Sequence, residues 1–81
     1  MKTEYIEIIF RERTKTGITC IWEVVANSTG SGLGLIKWNG AWRQYTFHPY
    51  QGTTWSHQCM TDVGKFLVME NDFHKSATGG R

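Results

Sequence analysis

Between Leu33 and Pro49 the sequence runs LGLIKWNGAWRQYTFHP. Alternating runs flank Asn39-Gly40, and this is the strongest short-range signal for a β-hairpin. A type I′ turn needs φ > 0 at both central residues, which Asn and Gly tolerate. A two-residue turn there would pair Trp38 with Ala41, Ile36 with Arg43, and Gly34 with Tyr45. Cross-strand partners share a face. One face then carries Gly34, Ile36, Trp38, Ala41, Arg43, Tyr45 and Phe47, and its bulk makes it the expected core face. The Tyr45 ring is expected to lie over Gly34. The other face carries Leu33, Leu35, Lys37, Trp42, Gln44, Thr46 and His48.

The segment before this hairpin alternates as well. In Glu4 to Glu12, Ile6, Ile8 and Phe10 share one face. Lys15-Thr16-Gly17 fits a three-residue turn with Gly in the left-handed position of a bulge. Such a turn pairs Phe10 with Trp22, Ile8 with Val24, and Ile6 with Ala26, all apolar, so turn and pattern agree on register. Residues 27–32 (NSTGSG) are turn formers and a connector. They lack the Lys-Ser/Thr that closes a phosphate-binding P-loop. Pro49 ends the fourth strand by removing a backbone donor.

Ser56 to about Glu70 is the helix candidate. Cys59, Met60, Val63, Phe66 and Leu67 follow the spacing of one apolar face. Ser56 is placed as the N-cap and Asn71 as the stop. The order is ββββα: an α+β fold, with a four-stranded antiparallel sheet of two hairpins and one C-terminal helix on one face. That helix is expected to cover Ile6, Ile8, Phe10, Trp22, Val24, Ile36, Trp38, Tyr45 and Phe47. Residues 1–75 form a single domain and 76–81 (SATGGR) a disordered tail.

An 81-residue chain buries only about 60–65% of its unfolded surface. Its aromatic side chains compensate, and a homodimer is expected. The formal net charge of +2 and pI near 8.7 permit contact with nucleic acid but fall short of a strong basic footprint. Cys20 and Cys59 are expected as reduced thiols in a cytoplasm. No apolar run approaches the roughly 20 residues of a membrane span.

His48, His57 and His74 stand in no recognisable nucleophile–base signature. His57 and Cys59 are too few ligands for a metal. The sequence therefore points away from an enzyme, a metal or another cofactor, and towards a binding surface. The sheet face opposite the helix would carry Glu7, Ile9, Arg11, Arg13, Thr19, Ile21, Glu23, Val25, Leu33, Leu35, Lys37, Trp42 and Gln44. Cations interleaved with an exposed aromatic make a stacking platform for single-stranded nucleic acid. The apolar members favour a protein interface instead. Arg43 falls on the core face near the hairpin tip. It either snorkels outward or anchors a phosphate or carboxylate.

Leu33, Gly34, Ile36, Lys37 and Trp38, then Trp42, Arg43, Tyr45, Phe47 and Pro49, then Cys59, form the pattern LGxIKW…WRxYxFxP followed by a Cys-bearing helix. Over residues 33–67 this resembles a type of small uncharacterised phage and prophage protein, which implies a mobile-element origin and no assigned activity. The element order is similar to the Whirly-type single-stranded-DNA-binding fold, which implies a dimer holding DNA on its sheets. The expected function is a non-enzymatic module binding single-stranded nucleic acid through Lys37, Trp42, Gln44, Arg11, Arg13 and Arg43 in a host cytoplasm. The alternative is an inhibitor or adaptor that docks on a host or defence protein, anchored by Trp42, Leu33 and Leu35.

Overall fold

Alternation of Ile6, Ile8 and Phe10 with polar neighbours builds the first strand, β1 (Ile6–Arg13). The computed structural model of the chain describes residues 1–15 and 17–77. After β1 come β2 (Cys20–Ala26), β3 (Gly32–Asn39), β4 (Gln44–Pro49) and the helix α1 (His57–Ala77). The strands form one antiparallel meander in the order β1-β2-β3-β4. The ββββα expectation holds.

β1 and β2 pair as expected, Phe10 with Trp22, Ile8 with Val24 and Ile6 with Ala26. The route to that register differs. Thr14 N–H donates to Thr19 C=O at 3.0 Å, so the loop is one residue longer than a three-residue turn. Arg11 is an extra residue in β1, between Phe10 opposite Trp22 and Glu12 opposite Ile21. The longer loop and the bulge cancel. Gly17 does take the left-handed position, at φ 73.

β3 and β4 correct the tip of the central hairpin. Asn39 pairs with Gln44, Trp38 with Tyr45, and Ile36 with Phe47. The loop is the four residues Gly40 to Arg43, with no two-residue Asn-Gly turn. The Asn39 side-chain oxygen accepts the N–H groups of Ala41 (3.0 Å) and Trp42 (3.2 Å), and it is this bonding that turns the chain. Arg43 closes the loop in the left-handed region, at φ 56. The slip is an even number of residues, so Tyr45 and Phe47 keep the expected core face. Gly34 is opposite Pro49. A Cβ at Gly34 would stand 2.7 Å from the Phe47 ring and 2.6 Å from the His48 carbonyl oxygen, so the covering ring belongs to Phe47 rather than Tyr45.

A second bulge, at Leu33, separates Val24–Gly34 from Val25–Gly32. It turns Leu33 off the outer face and into the core, where only 9% of it is exposed. That core joins Ile6, Ile8, Val24, Leu33, Ile36 and Tyr45 of the sheet to Val63 and Phe66 of α1.

Ser56 caps α1, its hydroxyl accepting Cys59 N–H at 3.2 Å. The helix does not stop at Asn71; it runs through Ala77. Residues 76 and 77 are therefore helical, and the rest of the expected tail lies outside the described residues. α1 crosses the sheet diagonally. Near its start Asp62 accepts the Thr3 hydroxyl at 2.6 Å, beside the beginning of β1. Near its end the Asn71 side-chain oxygen accepts Tyr45 N–H of β4 at 2.6 Å. A helix about 10 Å across spans roughly two strands at ~4.8 Å spacing. The far corner, where β1 ends and β2 begins, is left open. Phe10 was expected under the helix and is 52% exposed there, and Met60, expected on the buried stripe, is 57% exposed.

Both sheet edges are closed in part. Met1 and Ile8 exchange backbone hydrogen bonds at 2.9 and 2.7 Å, and Thr3 N–H donates to Ile6 C=O at 2.8 Å. Residues 1–3 thus lie along the edge of β1 through an isolated antiparallel bridge, Lys2 opposite Glu7. On the opposite edge the Asn71 amide also donates to Tyr45 C=O, at 3.4 Å, and so takes the place of a neighbouring strand at that residue.

Candidate binding surfaces

The outer face of the sheet is centred on Glu23, which sits between Ile9 of β1 and Leu35 of β3. The Arg11 guanidinium donates to one Glu23 oxygen at 2.9 and 2.6 Å. The Tyr50 hydroxyl donates to the other at 2.9 Å. These hydrogen bonds, Arg11's foremost, hold the Glu23 carboxyl below its ordinary range. Arg11 is therefore on the expected face, but its charge is already engaged by Glu23. Lys37 is exposed on the same face, opposite Thr46. The Thr46 hydroxyl and the His48 ring nitrogen are 2.9 Å apart. Burial first, then the nearby Lys37 ammonium, keeps the His48 imidazole below its usual pKa.

Trp42 is not on this face. It stands on the β3–β4 loop, 67% exposed. Arg43 follows it in the loop rather than sitting on the core face, and Gln44 opens β4, also exposed. Trp42 and Gln44 line a groove between β4 and α1, with Val68 and Asn71 on its helix wall. Arg43 and Gln44 line a second groove with Trp38, Asp72, His74 and Lys75. The His74 ring lies on Trp38, centroids 4.4 Å apart. Asn71 borders both grooves and ties them to the β4 backbone.

Arg13 moves to the helix side of the sheet. Beyond the Arg11 bulge it pairs with Cys20 and lines a trough with Ile18, Trp22, Tyr45, Glu70 and Phe73. The trough floor is an aromatic chain. Trp22 meets Tyr45 and Phe66 edge-on at 5.2 and 5.1 Å, and Tyr45 meets Trp38 at 5.3 Å. The Tyr45 hydroxyl accepts Cys20 N–H at 3.2 Å, and burial raises the pKa of that phenol.

Of the expected site residues the structure brings Trp42, Arg43 and Gln44 together. Lys37 is near them on the outer face. Arg11 and Arg13 are on β1, at the opposite side of the sheet. The meander places the β1–β2 loop, the β3–β4 loop and the end of α1 at one end of the molecule. That end gathers Arg11, Arg13, Lys15, Lys37, Arg43 and Lys75, against Glu12, Glu70 and Asp72. His74 and Lys75 also suit the negative end of the helix dipole. Sequence reasoning missed both because it ended the helix at Asn71. The spacing Phe66, Glu70, His74 was the available signal that the helix continues.

Cys20 and Cys59 are free thiols on separate elements. Among the described residues no group of His, Cys, Asp or Glu is placed to hold a metal ion, and no helix is long and apolar enough to cross a membrane. Comparison of the chain with protein-family models, with curated proteins and with solved structures found no match.

Proposed function

We propose that this protein is a small non-enzymatic module that binds single-stranded nucleic acid at the end of the sheet where Trp42, Arg43 and Gln44 meet Lys75. The observation that carries this is Trp42, an indole two-thirds exposed on a loop, with Arg43 beside it and Lys75 across the adjoining groove. An aromatic face takes any base, and flanking cations track the phosphates. Lys37 extends the cationic track onto the outer face. Arg11 is not part of it, because Glu23 holds its guanidinium. A host cytoplasm is the compartment proposed for such a module, on the resemblance of residues 33–67 to phage proteins.

Fluorescence anisotropy of a labelled oligonucleotide tests this. Binding should saturate and weaken with salt. Trp42→Ala should cost about 1–3 kcal/mol, and Arg43→Ala should reduce the salt slope by about 1. Arg11→Ala should change neither. Absence of binding at low salt, or binding indifferent to Trp42 and Arg43, refutes the reading.

A second reading, an adaptor or inhibitor docking on a host protein, draws on one observation: Trp42 and Val68 are both more than 60% exposed beside one groove. Leu33, once an anchor candidate, is in the core. Protein-mediated binding should survive nuclease, depend weakly on salt and still require Trp42.

A further inference from the structure

We infer that the open corner of the sheet is a homodimer interface, in which Arg13 of each copy meets Glu70 of the other. The diagonal path of α1 leaves the ends of β1 and β2 uncovered on the helix side. Around this corner Phe10 is 52% exposed, Ile18 63%, Met69 51% and Phe73 68%. Ile18 and Phe73 line the trough whose floor is Trp22. Phe10 is the strand partner of Trp22. Met69 stands one helical turn before Phe73, on the same flank of α1. Apolar patches of this kind are rarely left bare.

Charge says what covers the patch. Glu70 is half-buried against Trp22 and Tyr45, and its carboxylate has no hydrogen bond or ion pair among the described residues. Burial raises its pKa. A charge so placed is costly unless a cation meets it. Arg13 lines the same trough, yet among the described residues its guanidinium hydrogen-bonds only the Gly17 carbonyl, at 3.2 Å. Cation and anion face one cavity without joining. A two-fold axis through the trough joins them twice, since in an isologous interface residue i meets j and j meets i. The patch is thus its own complement: apolar rim against apolar rim, and Arg13 against Glu70 in both directions. A phosphate backbone would meet the Glu70 carboxylate in the floor and is disfavoured there.

The size fits. Large side chains bury about 150–250 Å² each. The four rim residues, each more than half exposed, offer on the order of 400 Å². That is about half of the ~800 Å² per partner of a standard interface, and Trp22, Arg13 and the end of α1 add to it. The outer sheet face offers less, because Ile9, Ile21, Val25 and Leu35 are half-buried by their own neighbours and Glu23 is already satisfied. This interface is independent of the nucleic-acid reading.

Sedimentation velocity of the full chain over a concentration series tests it. Wild type should reach twice the 9.3 kDa chain mass. Arg13→Glu and Glu70→Arg should each weaken the dimer by about 30-fold or more, and the double variant should regain it. Phe73→Asp should be monomeric with an unchanged far-UV spectrum. A wild type still monomeric at a concentration on the order of 0.1 mM overturns the proposal. So does a dimer indifferent to both charge reversals, or a double variant that fails to recover. Should Glu70→Arg not fold, the exposed positions Arg13 and Phe73 decide: a dimer that survives both variants overturns it.

Discussion

Asn71 fastens the end of α1 to the edge of β4, and its removal should be felt at one named amide. Tyr45 N–H points away from β3 and finds the Asn71 oxygen at 2.6 Å. The return bond, from the Asn71 amide to Tyr45 C=O, is 3.4 Å long and contributes little. Asn71→Ala therefore deletes one good hydrogen bond and leaves a partly buried donor unmet, which costs about 1–3 kcal/mol. Grooves flank Asn71 on both sides, so water partly replaces it and the loss belongs in the lower half of that range. Ala is the better helix former by roughly 0.5 kcal/mol. The net loss is about 1 kcal/mol, or a fall in Tm of about 4–8 °C for a domain of this size. Urea melts followed by tryptophan fluorescence give the stability, and hydrogen exchange gives the location. Tyr45 N–H should lose protection in the variant, while Thr46 N–H, which faces β3, keeps it. An Asn71→Ala protein with wild-type stability, or with unchanged protection at Tyr45, refutes the assignment of this bond.

Other consequences can be checked in the same way. Arg43→Gly relieves a left-handed non-glycine residue; it should raise stability by up to about 1 kcal/mol while weakening oligonucleotide binding, and paired urea melts and anisotropy would show both. Gly34→Ala forces a Cβ to within 2.6 Å of the His48 carbonyl oxygen and 2.7 Å of the Pro49 Cα; backbone cannot yield cheaply, so a loss of about 2–3 kcal/mol should appear as a lower urea midpoint with an unchanged slope. Glu23 has a folded pKa below its ordinary 4.5, so the unfolded chain binds its proton first as pH falls. Its contribution is complete above about pH 4.5 and is lost as pH drops through the lowered value; Glu23→Gln should flatten that acid limb, and unfolding midpoints at several pH values measure it.

Much of the fold was legible because alternation survives errors in loop length. The central hairpin slips by an even number of residues when the Asn-Gly turn becomes a four-residue loop, so Tyr45 and Phe47 keep their face. In the first hairpin a longer loop and the Arg11 bulge cancel, and the register from Phe10 to Ile6 is untouched. What alternation could not show is where an extra residue enters a strand. That hid the inward turn of Leu33 and the move of Arg13 to the helix side. Trp42 and Arg43 were misplaced for a related reason: Asn39 turns the chain with its side chain rather than with a left-handed backbone, which leaves the following residues in the loop. The helix end was misjudged at Asn71 because Asn is a common stop, whereas here its amide is committed to Tyr45. The path of the helix across the sheet is set by packing over the whole face. Nothing local in the sequence reports it, and the open corner came with it.

The bulge at Arg11 gives β1 one residue more than its ladder uses. Phe10 and Glu12 pair with the successive residues Trp22 and Ile21. Were Arg11 deleted, the neighbouring residues would close into an uninterrupted ladder with every partner and every face retained, Arg13 still turned towards the trough. A deletion elsewhere between Ile6 and Phe10 would throw Ile6 and Ile8 out of phase with the core. Position 11 is therefore a slot at which β1 can lose a residue without redrawing the sheet. The toll is confined to Glu23, which would keep Tyr50 and lose its cation.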